Sequence, residues 1–262
     1  MSSTALRERL RRPALGTAAV VLGILGALEL ATRGGLIGGF QVVPSSVMFA
    51  EAYKHLSDGR FWTEGLIPTF SAALIAFVVA SVIGVVLGFA LYYWRAGRTI
   101  LEPYLIIYYA VPIFAIYPIL IALFGLGPLP VITLSTLFGL VVITVQTLTG
   151  LDATRPVYLK VSREYGLSFS QHIRHILAPA AMPSIYAGLK LGLSYCIVAT
   201  IAVEFILSAN GIGRLISLSY NAFLIPQMYG AIVVVMFITI SVNVGLDLLE
   251  RLLPHRRTRS AS

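Results

Sequence analysis

Few side chains in this sequence could carry chemistry, and their spacing assembles no catalytic site. His172 and His175 stand three residues apart and could share a helix face, but the third and fourth ligands of a metal site are missing nearby. A phosphate-cradling P-loop needs Gly directly before its Lys. Lys54, Lys160 and Lys190 follow Tyr, Leu and Leu instead, so no ATP site of that kind exists in the sequence. There is no nucleophile elbow, no H-E-x-x-H pair and no cluster of carboxylates like that of a proton pump. The single cysteine, Cys196, excludes an intrachain disulfide and reads as a small buried or lipid-facing residue. No catalytic residue, metal site or cofactor site is expected, and the chain is not expected to be an enzyme.

A few ionisable residues lie inside apolar blocks, where such groups are functional candidates by default. Glu29 stands near the end of the first block and Glu204 near the end of the fifth. Lys190 lies about ten residues into the fifth, or about 15 Å at helical rise. Snorkelling or a structural ion pair competes with a functional role for Lys190. For Glu204 an interfacial structural role competes with a gate or a place on a solute path. Polar groups otherwise concentrate in "SREYGLSFSQHIRHILAPAAMPS", Ser162 to Ser184, which holds two arginines, a glutamate and two of the four histidines. Such a stretch between apolar blocks must face water or a partner.

The elements that position these residues are membrane helices. Of the 262 residues, 58% are hydrophobic and 11% charged, with a mean hydropathy of +0.88. Soluble domains run at about 45–50% apolar and about 25% charged, so the composition points to a polytopic membrane protein. The net charge of +8 lies in short clusters with no continuous basic face, which argues against nucleic-acid binding. Apolar blocks of spanning length fall at about 14–32, 66–94, 101–124, 129–149, 180–207 and 228–249. The first is longer than a signal-peptide core and "ATRGG" offers no cleavage site, so it is expected as a retained span. The third contains Pro103, Pro112 and Pro118, whose missing donors place it inside a bundle rather than against lipid. With the N-terminus inside, cytoplasmic segments hold fourteen Lys/Arg and outer segments four. The expected fold is therefore an all-α integral membrane protein of six transmembrane helices, N-in and C-in. Residues 1–13 form a cytoplasmic tail, 14–250 one membrane domain, and 251–262 a basic cytoplasmic tail. The long cytoplasmic loop between the fourth and fifth helices, about 150–179, is the natural surface for a partner.

That loop suits docking. Gly166 permits a sharp reversal that a Cβ would hinder, and Ser168 can cap a short helix. Phe169 offers an apolar contact whose burial is worth about 1.5–3 kcal/mol, with Ser170, Gln171, His172 and Arg174 as polar rim. Pro179 and Pro183 begin the fifth span, where a missing donor costs nothing. The competing reading lays this short helix on the membrane surface, Phe169 and Ile173 down. A conduit is expected along the third, fourth and fifth helices, with Tyr108, Tyr109, Tyr117, Thr144, Gln146 and Glu204 as wall candidates. The pairs Gly84/Gly88 and Gly188/Gly192 permit close helix contact, including across a dimer axis.

Gly166, nine intervening residues, then "ILAP" with Ile176 and Pro179 resembles the cytoplasmic EAA loop of importer-type ABC transporter permeases. Lys160, Val161 and Ser162 occupy the E-A-A positions and Ala178 the usual Leu, so the acidic residue is absent while the Gly-to-Pro spacing is intact. Four further stretches resemble the nitrate, sulfonate, taurine and bicarbonate branch of that family. They are "VVPSSVMFAEA", "TFSAALIAFVVASVIGVVLG", "VPIFAIYPILIALFGLG" and "VEFILSANGIGRLI". The second departs from the branch at Ala72 and Ala76; the third matches through Pro112, Pro118, Phe124, Gly125 and Gly127, and the fourth through Glu204, Gly211, Gly213, Leu215 and Ile216. The resemblance implies a permease that pairs with a second copy in the bilayer and sits on two ATPase subunits, which hold the ATP and Mg. An extracytoplasmic binding protein would deliver a small solute, such as an organic or inorganic anion, and the membrane would be the prokaryotic inner (cytoplasmic) membrane. It further implies that Gly166, Leu167, Ser168, Phe169, Ser170, Gln171, His172, Arg174 and Pro179 form the coupling helix and its flanks. A self-sufficient secondary carrier or channel, and a membrane scaffold subunit, are the alternative functions.

Overall fold

Small residues decide which faces of these helices turn inward. In the computed structural model, helix α3 (Ile67–Tyr93) buries Ala72, Ala76, Ala80, Gly84 and Gly88, one at every fourth position. It exposes the larger Leu74, Ile75, Val78, Val82 and Val86. In water that arrangement would be inside out. Beside lipid tails, which are as apolar as leucine, helices gain from close backbone approach rather than from hiding bulky side chains.

The structure describes residues 3–36, 38, 42–108 and 113–252, and no strand occurs among them. The chain divides into two compact units, Met1–Gly59 with Ile216–Met236, and Arg60–Leu215 with Phe237–Ser262.

In the second unit, α6 (Pro128–Asp152) packs between α3 and α9 (Ala178–Leu207). A Cβ on Gly88 would stand 2.6 Å from Thr147 Cβ, one on Gly188 2.6 Å from Gln146 Cβ, and one on Gly192 2.6 Å from Ile143 Cγ1. Both small-residue pairs thus close on α6 within one chain, so this contact, not one across a dimer axis, explains them. Ser135 and Thr200 hydroxyls bond at 2.9 Å between α6 and α9, and the buried Cys196 thiol donates to Ser135 O at 3.4 Å. Lys190 takes its ion-pair reading: it pairs with Asp247 of α11 (Ile225–Leu252), flanked by Tyr186 Oη donating to Leu246 O (2.8 Å) and Ser194 Oγ to Asn243 Oδ1 (2.9 Å).

In the first unit, α1 (Ser3–Arg33) is one helix that takes in residues of both the expected 1–13 tail and the expected first span. Helix α2 (Ser45–Ser57) packs Met48 with Val43 and Ile225, against Leu28 and Met228.

Among the described residues, four helical segments are long and apolar enough to cross a membrane: Phe61–Tyr93, Pro128–Asp152, Phe169–Ile206 and Ile225–Leu248. The stretch expected as the third span is divided instead. It forms α4 (Arg95–Ile107), a 3-10 turn (Ile113–Ile116) and α5 (Tyr117–Phe124). Pro112 and Tyr109 lie outside the described residues, as do residues 253–262 of the C-terminal tail.

Candidate functional site

The loop between α6 and α9 builds its shape from local signals. Helix α7 (Pro156–Glu164) begins on a proline, whose absent donor is harmless there, and stops at Gly166, φ +61°. Gly166 N donates to Arg163 O and Leu167 N to Ser162 O, both at 3.1 Å, the paired bonds of a Schellman stop. Ser168 then opens α8 (Phe169–His172) with a capping box: its Oγ accepts from Gln171 N (3.4 Å) and its own N donates to Gln171 Oε1 (2.9 Å).

The sequence placed the start of the fifth span at Pro179, after a separate short helix. Instead α8 runs through a π turn (Ile173–Leu177) directly into α9. Pro179 has no N–H, and its ring crowds the carbonyl four residues back, that of His175. The wider turn, in which Ala178 N donates to Ile173 O, makes room for it.

Phe169 is 65% exposed, its ring tilted against Tyr93 at a centroid distance of 5.0 Å. Ser170, Gln171, Arg174 and Pro179 are exposed, while Leu167 and His172 are half-buried. His172 Nδ1 lies 2.6 Å from the Oγ of Ser162, a buried residue, which ties α7 to α8. His175 Nδ1 takes Gln171 O at 3.1 Å, so the two histidines have separate partners. Among the described residues no cluster of three or more metal-capable side chains occurs. Next to this segment Arg98 bonds Asp152 Oδ1 (2.9 Å) and Glu102 Oε2 (3.1 Å), joining α4 to the end of α6. A cavity of about 800 Å³ opens between Tyr93, Arg98, Asp152, Ser162 and Phe169.

The described wall candidates lie in different surroundings. Tyr117 is buried in a core with Leu120, Leu134 and Val203, and Tyr108 packs against the same core. Thr144 is buried with its hydroxyl on Leu140 O (2.8 Å), and half-buried Gln146 packs on Gly188. Glu204 is buried and does a local job. Its Oε2 accepts from Thr69 Oγ1 at 2.7 Å and from Gly213 N at 3.1 Å, while Thr69 Oγ1 accepts from Ile212 N at 2.8 Å. The first amides of α10 (Ile212–Asn221) are thereby satisfied by a carboxylate and a hydroxyl, as the positive end of a helix favours. Gly211, φ +107°, leaves the space the carboxylate fills, since a Cβ there would overlap it. A cavity of about 340 Å³ beside this cap is lined by Ser71, Val131, Glu204 and Asn210. Sequence reasoning missed Ser162 and Thr69 as partners, although both stand in stretches whose spacing is distinctive.

Residues 80–259 match the family described as binding-protein-dependent transport system inner membrane component. The chain belongs to this family. The permease is 28% identical over 249 residues to the riboflavin transport system permease protein of Chloroflexus aurantiacus, covering 94% of this chain and 91% of that one. It is 25% identical over 194 residues to the taurine transport system permease protein of Escherichia coli (74% and 70% covered). It is 27% identical over 219 residues to the nitrate import permease protein of Synechocystis (80% of each covered). Its fold is that of a chain of the MetNI methionine ABC transporter in an inward-facing form, with a TM-score of 0.63 at 18% identity, over 72% of this chain and 94% of that one. The permease is a multi-pass translocation subunit of an ABC importer.

Proposed function

We propose that the permease crosses the bilayer of a prokaryotic cytoplasmic membrane six times, with both termini in the cytoplasm, and couples to separate ATPase subunits through residues 156–179. The excess of cytoplasmic Lys/Arg supports the orientation. Helix α1, the four long apolar segments and the broken 95–124 stretch supply six passes. Two ATPase subunits holding ATP and Mg, a second copy of the permease and an extracytoplasmic binding protein complete the assembly. The cargo is a small solute. Relatives named for taurine and nitrate favour an organic or inorganic anion, and one named for riboflavin widens the range. Half-buried Tyr108 and Gln146 are the described wall candidates with side chains outside the tight core.

The observation that carries the coupling role is Phe169, a largely exposed aromatic at the start of a helix that continues across the membrane. Leaving it uncovered forgoes about 1.5–3 kcal/mol, whereas a groove on an ATPase would cover it. Reconstitution with and without the ATPase and the binding protein tests the assignment. Uptake is expected only with both and with ATP; accumulation by the chain alone, driven by an ion gradient, would overturn it.

A further inference from the structure

One apolar surface of the first unit is not used by coupling. Helix α2 has three sectors. Ser45, Met48 and Ala52 are buried, and Ala50 and Ser57 are exposed on another side. Between them Phe49, Tyr53 and Leu56, spaced i, i+4, i+7, form an apolar row 52%, 74% and 42% exposed. Tyr220, Phe223 and Leu224, just before α11, are exposed as well.

The contacts of α2 fix its depth. His55 Nε2 lies 2.9 Å from Gln227 O, and a Cβ on Gly230 would stand 2.6 Å from Glu51 Cβ. The apolar span of α11 begins at Ile225, so α2 lies beside its first turns, within about 9 Å of the span's end. The other end of α2 is held by α1. Pro44 provides no side-chain cap, and Glu29 takes that role from outside: its carboxylate accepts from Ser46 N (3.0 Å), Ser46 Oγ (2.8 Å), Ser45 Oγ (3.0 Å) and Arg33 Nε (2.6 Å). Helix α1 exposes Val20, Val21 and Ile24, so α2 is clasped to a helix with an apolar outer face.

We infer that α2 is an interfacial anchor whose Phe49, Tyr53 and Leu56 insert into the headgroup–acyl boundary of the outer leaflet, while Ala50 and Ser57 face water. The inference rests on the six-span orientation above. Aromatic rings at the end of a span belong at that boundary. The charges of α2 argue for lipid over a charged protein surface, because Glu51 and Lys54 neutralise each other at 2.5 Å, as do Glu29 and Arg33. Phospholipid is the occupant.

The complete transporter, with Cys196→Ala in the permease, is reconstituted in phosphatidylcholine–phosphatidylglycerol vesicles and spin-labelled singly through Phe49→Cys, Tyr53→Cys, Leu56→Cys, Ala50→Cys or Ser57→Cys. Dissolved oxygen is expected to relax the labels at 49, 53 and 56 more than a water-soluble nickel chelate does, with the opposite order at 50 and 57. Five labels with one common order would overturn the anchor. So would protection at 53 that appears only when the binding protein is added, which would make the row a protein dock. In a second variant, Tyr53→Trp with Trp62→Phe and Trp94→Phe, brominated acyl chains should quench more than aqueous iodide; the reverse counts against insertion. Ile240→Cys, in the middle of α11, is the reference for topology. A water-exposed label there overturns the six-span reading, and this result is separate from a failure confined to α2.

Discussion

Gly166 and Ser168 act two residues apart, one stopping a helix and the other starting the next. A Cβ at Gly166 forces an L residue into the left-handed region at about 1–2 kcal/mol, and removing the Ser168 cap costs about 0.5–2 kcal/mol. Gly166→Ala and Ser168→Ala are therefore each expected to weaken ATPase co-purification and ATP-driven uptake while the chain still inserts; pull-down and vesicle uptake read both. Glu204 calls for a different pair of variants. Glu204→Gln keeps an oxygen for Gly213 N and should leave thermal stability close to that of the parent. Glu204→Ala leaves buried donors unmet at about 1–3 kcal/mol and should lower the unfolding temperature in detergent. The loop devices were legible in the sequence because their partners lie within six residues. The Glu204 cap was not, because Thr69 stands 135 residues away, and a carboxylate near the end of an apolar block looks the same whether it caps a helix or lines a path.

At the scale of elements, helix contact through small residues makes a directional prediction. Gly88→Val pushes against Thr147 of α6 and should destabilise by about 1–3 kcal/mol. Val82→Ala, on the exposed face of the same helix, should change stability by less than about 0.5 kcal/mol. Thermal unfolding of both in one detergent decides. Block length and hydropathy made the long helices legible. They could not show α2 or α10, which are short and of mixed polarity, nor the split of the 95–124 stretch, where the prolines signal a break without saying how the chain resumes.

At the scale of the molecule, transport depends on helices that keep their partners while the assembly moves. Lys190 and Asp247 are such partners, linking α9 to α11. Lys190→Asp alone should depress folding yield and uptake, and adding Asp247→Lys should restore part of both. A double variant no better than the single one would mean that the pair does not hold α9 to α11.

From Phe169 to Ile206 the backbone is helical without a loop, 38 residues or about 57 Å. The Phe169 end and the Glu204 end are therefore locked in angular phase as well as in distance. The π turn already absorbs one irregularity of pitch below Pro179. One further residue inserted into α9 would swing Glu204 by about 100°, away from Thr69 and from the amides of α10. The length of this helix, counted in single residues, is thus as strict a requirement as any side chain on it.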